Sequence, residues 1–293
     1  MNKSENIYFS SNFKCGKTNL SKYDEMLKRG WVLASKDGRI SYNGKFYKIM
    51  KNLDAHILLW AINDNAKEMH YSDFYRLQDL VDCNYITQFH PHCIFVGQSS
   101  MEIFDRSKVK VTDFVENPAV CMHSYIQYRN SVIDEEEPII ITSISKCKRN
   151  EHKYLTFERM LDFTMREIIF MGSERYVLRK RAEYMEKAKQ LMIHMNLDGN
   201  IQVSHDPFFK KEDERKADFQ KKFKLKYEMN LKIPYNDHLL AAGSFNYHNT
   251  NFSRAYNIRN LKGEYIHTAC VAFGLERFAY ACVEQKGLDY FDL

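Results

Sequence analysis

The chain has 293 residues, 44% of them hydrophobic and 28% charged, a globular composition long enough for one large core. Its net charge of +5, with a pI near 8.6, comes from 43 Lys and Arg in mixed order with 38 Asp and Glu, which excludes a strongly basic block and favours anionic partners only weakly. The seven Cys are odd in number and form no CxxC pair, and neither a signal peptide nor a membrane span can be read. A soluble, cytoplasmic protein with reduced thiols is therefore expected.

Residues 1 to about 28 are polar and are expected to be partly disordered. Between residues 31 and 42, alternating apolar residues flank Asp37-Gly38, a dipeptide that tolerates positive φ, so a hairpin is predicted. Phe46, Ile49, Leu53, Ile57 and Trp60 recur at three- and four-residue steps and predict a helix; Phe74, Leu77 and Val81 predict a second. A strand is expected over 85–96, and further strands over 139–147, 225–233 and 265–271. Ser173 reads as the cap of a third helix, with Val177, Tyr184, Ala188, Leu191 and Met195 on one face and Gly199 just past its end. Near the C-terminus, Gly274 permits a sharp turn into a last helix with the stripe Leu275, Phe278, Ala279 and Cys282. The fold class is α+β, an antiparallel sheet flanked by helices.

Two strings carry chemistry. The first, KCKRNEHKYLTFERMLDFTMREI over 146–168, reads as a strand, a polar loop and a returning strand. Period-two alternation places Cys147, Arg149 and Glu151 on one strand face and Phe163, Met165 and Glu167 on one face of its partner. A guanidinium suited to phosphate, an acceptor for an amine and an aromatic face are what ATP needs when a carboxylate attacks its α-phosphate. The second string, HTACVAFGLERFAYA over 267–281, leaves Arg277 off the apolar stripe and free to hold the outer phosphates. Taken alone, Arg149 and Glu151 also fit a surface hairpin of alternating charge, and Glu276 and Arg277 a solvated pair.

The Arg-x-Glu, loop, Phe and Gly-Leu-Glu-Arg strings resemble motifs 2 and 3 of the class II aminoacyl-tRNA synthetases, and Tyr85, Phe89 and Pro91 resemble motif 1, the dimer-forming element. Within that class the chain is most similar to the seryl-tRNA synthetase-like amino acid:[carrier protein] ligases. The likeness runs through DGRISYNGKF, DFTMREI, DPFF at Asp206, SFNYH at Ser244 and HTACVAFGLER. It implies that 29–293 form a single catalytic domain working as a homodimer. By position, Arg149 would contact the α-phosphate and Glu151 the adenine amine; Phe163 would stack on adenine, and Arg277 would hold the γ-phosphate. Glu228 is a further candidate near the nucleotide, and its other reading is a solvent-facing strand residue.

The resemblance also implies a zinc ion held by Cys121, Glu167 and Cys270, with one tetrahedral position open for a neutral α-amino group. Read without it, Cys121 and Cys270 are ordinary buried cysteines. A rival metal set, His90, His92 and Cys93, is set aside in favour of packing or dimer contacts around Pro91. Ser244, Asn246 and His248 match the family's substrate-lining SxNxH string, and their other reading is a polar turn. No carboxylate lies between His238 and Tyr247, where seryl-tRNA synthetases place a magnesium-binding acid, so the magnesium ligands stay open.

Residues 206–228 hold eight Lys or Arg against six Asp or Glu, with Lys221, Lys222, Lys224 and Lys226 closely spaced. In the family this region carries a helix that docks an acidic carrier protein; on charge alone it is a solvated helix. The implied reaction is ATP-dependent activation of a small amino acid, glycine or alanine, followed by transfer to the phosphopantetheine thiol of a carrier protein. No basic stripe with interleaved aromatics is found, so tRNA is an unlikely acceptor. The alternatives are a truncated aminoacyl-tRNA synthetase and a catalytically silent synthetase-like regulator.

Overall fold

In the strand-forming stretch of 162–172, Ile168 and Phe170 point to one face and Ile169 and Met171 to the other, and all four are fully buried. A strand covered on both faces must lie inside a layered domain. The computed structural model describes residues 6–34, 36–99, 104–206 and 214–291. Its first third runs β1 (Ile7–Ser10), α1 (Lys22–Lys28), β2 (Val32–Ala34), β3 (Ile40–Tyr42), α2 (Gly44–Asn63), β4 (Lys67–Met69), β5 (Phe74–Arg76), α3 (Leu77–Asp82), α4 (Tyr85–Phe89) and β6 (Phe95–Gln98). The middle holds β7 (Lys110–Glu116), α5 (Cys121–Gln127), β8 (Val132–Ile133), β9 (Ile139–Lys148), β10 (Asp162–Gly172), α6 (Glu174–His194) and β11 (Gly199–Ser204). The last part holds α7 (Glu214–Lys222), β12 (Lys226–Ile233), β13 (His238–Asn249), α8 (Asn251–Tyr256), β14 (Arg259–Asn260), β15 (His267–Gly274) and α9 (Leu275–Lys286).

Eight strands form one sheet in the order β1-β11-β12-β13-β15-β10-β9-β4, antiparallel throughout except for the β4–β9 edge. The expected α+β class, an antiparallel sheet flanked by helices, is what forms. One face carries Ile168, Phe170, Val271, Phe273 and Phe245 against the apolar stripes of α2, α6 and α9. Arg166 also points to this face. Its guanidinium bonds Asp54 of α2 at 2.7 and 2.9 Å and Glu68 at 3.0 Å, so a buried charge is fully paired and ties helix to sheet. The other face packs Ile141, Ile169 and Met171 against α5, α8 and a small sheet ordered β5-β7-β6.

Several expectations are corrected. The segment 85–96 is not one strand: Tyr85 and Phe89 sit four apart on a helix, ring centroids 5.1 Å apart, and Pro91 opens a turn of 3-10 helix over His90–His92 before β6 starts. Phe74 lies in β5 rather than in a helix with Leu77 and Val81, and the buried residue of α3 is Leu80. Asn196, at φ 49°, is the left-handed residue after α6; Gly199 instead opens β11, where a Cβ would come within 2.2 Å of the Asn230 carbonyl. Gly274 has an ordinary extended φ of −82°. From Ile7 onward the N-terminal segment adds a strand beside β11, and Ser21 caps α1, whose Met26 is fully buried. All seven cysteines are unpaired. Among the described residues no helix is long and apolar enough to cross a membrane.

Candidate functional site

Sheet register brings the distant strings together. On β10, Glu167 lies directly opposite Ala272 of β15, and Ala272 opposite Ser244 of β13, which faces Glu228 of β12. One row along, Ile169, Cys270, Asn246 and Lys226 are successive cross-strand partners. Residues opposite one another share a face, so Glu167, Cys270, Ser244, Asn246, Glu228 and Lys226 all line one cavity of about 310 Å³. The other sequence reading of Ser244, Asn246 and His248, a polar turn, does not hold, because all three sit in β13.

At the deep end, Cys121, Glu167 and Cys270 are buried, and their ligand atoms all lie within 4.8 Å of one another. Cys121 opens α5 and is drawn in through Glu167, whose Oε1 accepts the backbone N–H groups of Val120 at 2.9 Å and Cys121 at 3.3 Å. The second oxygen, Oε2, is buried without a hydrogen-bond partner, the state expected of a group that serves a cation. The Cys121 thiol is pushed well up by its contact with Cys270 and by burial, and burial raises the Glu167 carboxyl. Contact with Cys121 pulls the Cys270 thiol down, but burial and the Glu167 charge outweigh it. A divalent cation would reverse all three, since ligation needs thiolate and carboxylate. Two thiols and a carboxylate at this spacing fit zinc, with one position left for a fourth ligand. Around them, the Asn246 amide donates to Cys270 Sγ at 3.4 Å, and His248 Nε2 lies 3.6 Å from the same sulfur. Burial pulls the His248 imidazole down to about 4 and keeps it neutral.

At the second end sit two guanidinium groups. Arg149 follows the last residue of β9, so neither it nor Glu151 continues that strand as expected. Its guanidinium lies 5.1 Å over the Phe163 ring and donates twice to the Pro118 carbonyl, at 3.0 and 2.9 Å. Arg277, in the first turn of α9, donates to the carbonyls of Ala241 and Glu158. Burial pulls its pKa down to about 10, and the nearby Arg149 charge adds to the fall. Two cations beside one aromatic face make a concave site for a polyanion with a flat ring. Glu276 is no solvated partner of Arg277; it is buried and accepts from Thr164 N–H and Oγ and from Tyr42. Glu151 stands outside the cavity wall, bonded to Arg159 at 3.1 Å. Glu228 is on the wall, held by Ser204 at 2.8 Å and Lys226 at 3.1 Å. His90, His92 and Cys93 form no metal cluster; among the described residues only the Cys121 set does.

The outer end is bounded by α7 and the turn that follows it, where Lys221, Lys222 and Lys224 are exposed and stand off the cavity. Of the DPFF string only Asp206 is described; Pro207, Phe208 and Phe209 lie outside the described residues. Asp206, Gln220 and Lys226 line the cavity but were not among the sequence candidates for substrate or nucleotide. The signal for Lys226 was present in its period-two spacing from Glu228, which puts both on one strand face. It was masked by the charge run around it.

No protein-family model matches the chain. Amino acid–[acyl-carrier-protein] ligases 1 and 2 of Bradyrhizobium diazoefficiens are 31% and 34% identical to it over 178 residues, 60% of this chain and 54% and 53% of theirs. A type-2 serine–tRNA ligase of Methanocaldococcus jannaschii is 27% identical over 187 residues, covering 61% and 36%. The chain thus spans about half the length of the carrier-protein ligases it matches. Among solved structures, Methanopyrus kandleri SerRS in complex with an A. aeolicus tRNASec superposes with a TM-score of 0.85 at 19% identity, over 97% of this chain and 60% of that one. The cytoplasmic serine–tRNA ligase of Naegleria fowleri, in complex with AMP, superposes at 0.77 and 13% identity, over 98% and 62%. The chain therefore has the fold of the class II aminoacyl-tRNA synthetases, and in sequence it is similar to amino acid–[acyl-carrier-protein] ligases and type-2 serine–tRNA ligases.

Proposed function

We propose that this chain activates a small amino acid, glycine or alanine, as its aminoacyl-adenylate and transfers it to the phosphopantetheine thiol of a carrier protein. The observation that carries this reading is the buried Cys121, Glu167 and Cys270 cluster sharing one cavity with Arg149, Phe163 and Arg277. Bound zinc would supply a Lewis-acidic grip on the neutral α-amine. Asn246 and His248 hold the cluster in shape, and the α-carboxylate is left to reach toward the α-phosphate. There Arg149 neutralises charge as pyrophosphate leaves, while Phe163 offers its ring to adenine and Arg277 holds the outer phosphates. No protein nucleophile is required; positioning and electrostatics supply the rate. Glu228, on the cavity wall, is the carboxylate that serves the nucleotide, and Glu151 would have to turn inward from Arg159 to reach the adenine amine.

The acceptor is read from the rim. On α7 and the turn after it, Lys221, Lys222 and Lys224 flank Phe219 and Phe223, both 54% exposed, with ring centroids 4.4 Å apart. Basic residues around exposed aromatics suit an acidic carrier protein, and the names of the Bradyrhizobium relatives support that partner. The homodimer is proposed through the small sheet, where Phe74 and Phe114 lie side by side at 6.5 Å and are each more than two-fifths exposed. Residues 29–293 would be its single catalytic domain, and the cytoplasm its compartment. The test is amino-acid-dependent ATP–pyrophosphate exchange across all amino acids, with zinc measured on the same sample. Radiolabelled product is then sought on holo-carrier protein and on tRNA. Label on tRNA alone would favour a truncated synthetase, and absence of exchange a silent regulator.

A further inference from the structure

The cavity holds an ion pair that the mechanism above leaves unused. Lys226, with a side chain only 12% exposed, bonds Asp206 at 2.7 Å and Glu228 at 3.1 Å. Asp206 is clasped from outside by Gln220 of α7: its backbone N–H donates to Gln220 Oε1 at 2.8 Å, and Gln220 Nε2 donates to its Oδ2 at 2.9 Å. Lys226 lies directly opposite Asn246, and Asn246 directly opposite Cys270. With strands about 4.8 Å apart, the Lys226 backbone is roughly 10 Å from that of Cys270 along one row of the sheet. Asn246 fills the gap, bonded to Cys270 Sγ at 3.4 Å and Ser244 Oγ at 3.2 Å.

We infer that Lys226 and Asp206, braced by Gln220, are the specificity-determining wall of the amino-acid pocket and exclude apolar side chains longer than a methyl group. The inference rests on the activation reading just proposed. With the amine held at the Cys121 cluster, the α-substituent meets Asn246 first, and a longer apolar chain meets the ion pair. Burying hydrocarbon against those charges would strip their remaining hydration and return no hydrogen bond. Moving the pair aside is also costly, because the Lys226 charge is largely buried beside its partners and Asp206 is pinned at both its amide and its carboxylate. Glycine and alanine do not reach so far.

The test is the double variant Lys226→Met with Asp206→Asn, which removes both charges of the pair at once and leaves Glu228 its hydrogen bond from Ser204. Pyrophosphate exchange is measured with glycine, alanine, 2-aminobutyrate, valine and leucine, and binding of the same amino acids is followed by calorimetry. The expected result is that preference for alanine over 2-aminobutyrate and valine falls by about tenfold, the scale of one methylene in a pocket. Gln220→Leu, which only unpins Asp206, shifts the preference the same way by a smaller factor. If the double variant does not fold by circular dichroism, Gln220→Leu decides. An unchanged preference in a folded, active variant overturns the wall and leaves the activation reading standing. Absence of exchange with every amino acid in the unmodified protein overturns the activation reading, and the wall with it.

Discussion

The two ends of the cavity are built differently. At the deep end, Glu167, Cys270, Ser244 and Asn246 are fixed by the pairing of three antiparallel strands, and a one-residue slip would turn all of them away together. At the outer end, among the described side chains α7 reaches the cavity by one, Gln220, and Lys221 and Lys222 are exposed. Chemistry that needs atoms held to tenths of an ångström belongs to the first kind of construction. Recognition of a partner that comes and goes belongs to the second. Substitutions should then split the two half-reactions: deep changes abolish activation, and outer changes spare activation and weaken transfer.

The largest effect is expected at the metal ligands. Cys121→Ser or Cys270→Ser should remove bound zinc and lower pyrophosphate exchange by more than about a hundredfold, since even loss of an outer-shell partner costs a metal site ten- to a hundredfold. Cys282→Ser is the control, because Cys282 is equally buried but packs in α9 on the opposite face of the sheet. Equal zinc content in all three proteins, measured by elemental analysis, would break the assignment. Next comes Arg149→Ala, with a loss of about a hundred- to a thousandfold in kcat for exchange, as for removal of a donor that steadies developing charge. Arg149→Lys should recover little, because the planar fork that bonds Pro118 twice is lost. Full recovery by lysine would reduce Arg149 to a simple counter-charge.

The same contrast explains what was legible in the sequence. Glu167, Cys270 and both arginines could be singled out because they sit in two strings that read as strands and turns, and the register of β9, β10 and β15 then leaves few places for them to go, whereas Cys121, on α5, was reached only through the family resemblance. The long helices were legible too: Phe46, Ile49, Leu53 and Ile57 are all buried on α2. Short elements were not. Over 85–96, seven apolar residues among twelve look like a strand, and only tertiary packing against the cavity selects a helix for Tyr85 and Phe89. The strand β13, which carries Ser244, Asn246 and His248, was hidden by the small and polar residues in AAGSFNYHN. Its formation depends on partners on either side rather than on its own propensity. The Lys226 and Asp206 pair was invisible because its partners come from different elements, and only the fold puts them at 2.7 Å.

The smallest expected effect lies farthest from the metal. Reversing charge at Lys221, Lys222 and Lys224 to Glu should leave amino-acid activation within about twofold, because none of the three lines the cavity and all are solvated. The KM for holo-carrier protein should rise by about tenfold at low ionic strength, and the difference from the unmodified protein should shrink as salt screens the encounter. Phe219→Ser should also raise the KM but with little salt dependence, since it removes apolar contact rather than charge. Steady-state transfer measured over a range of salt separates the two. If the charge reversals slow pyrophosphate exchange as strongly as transfer, α7 is part of the activation site, and the division between a rigid interior and a docking rim fails.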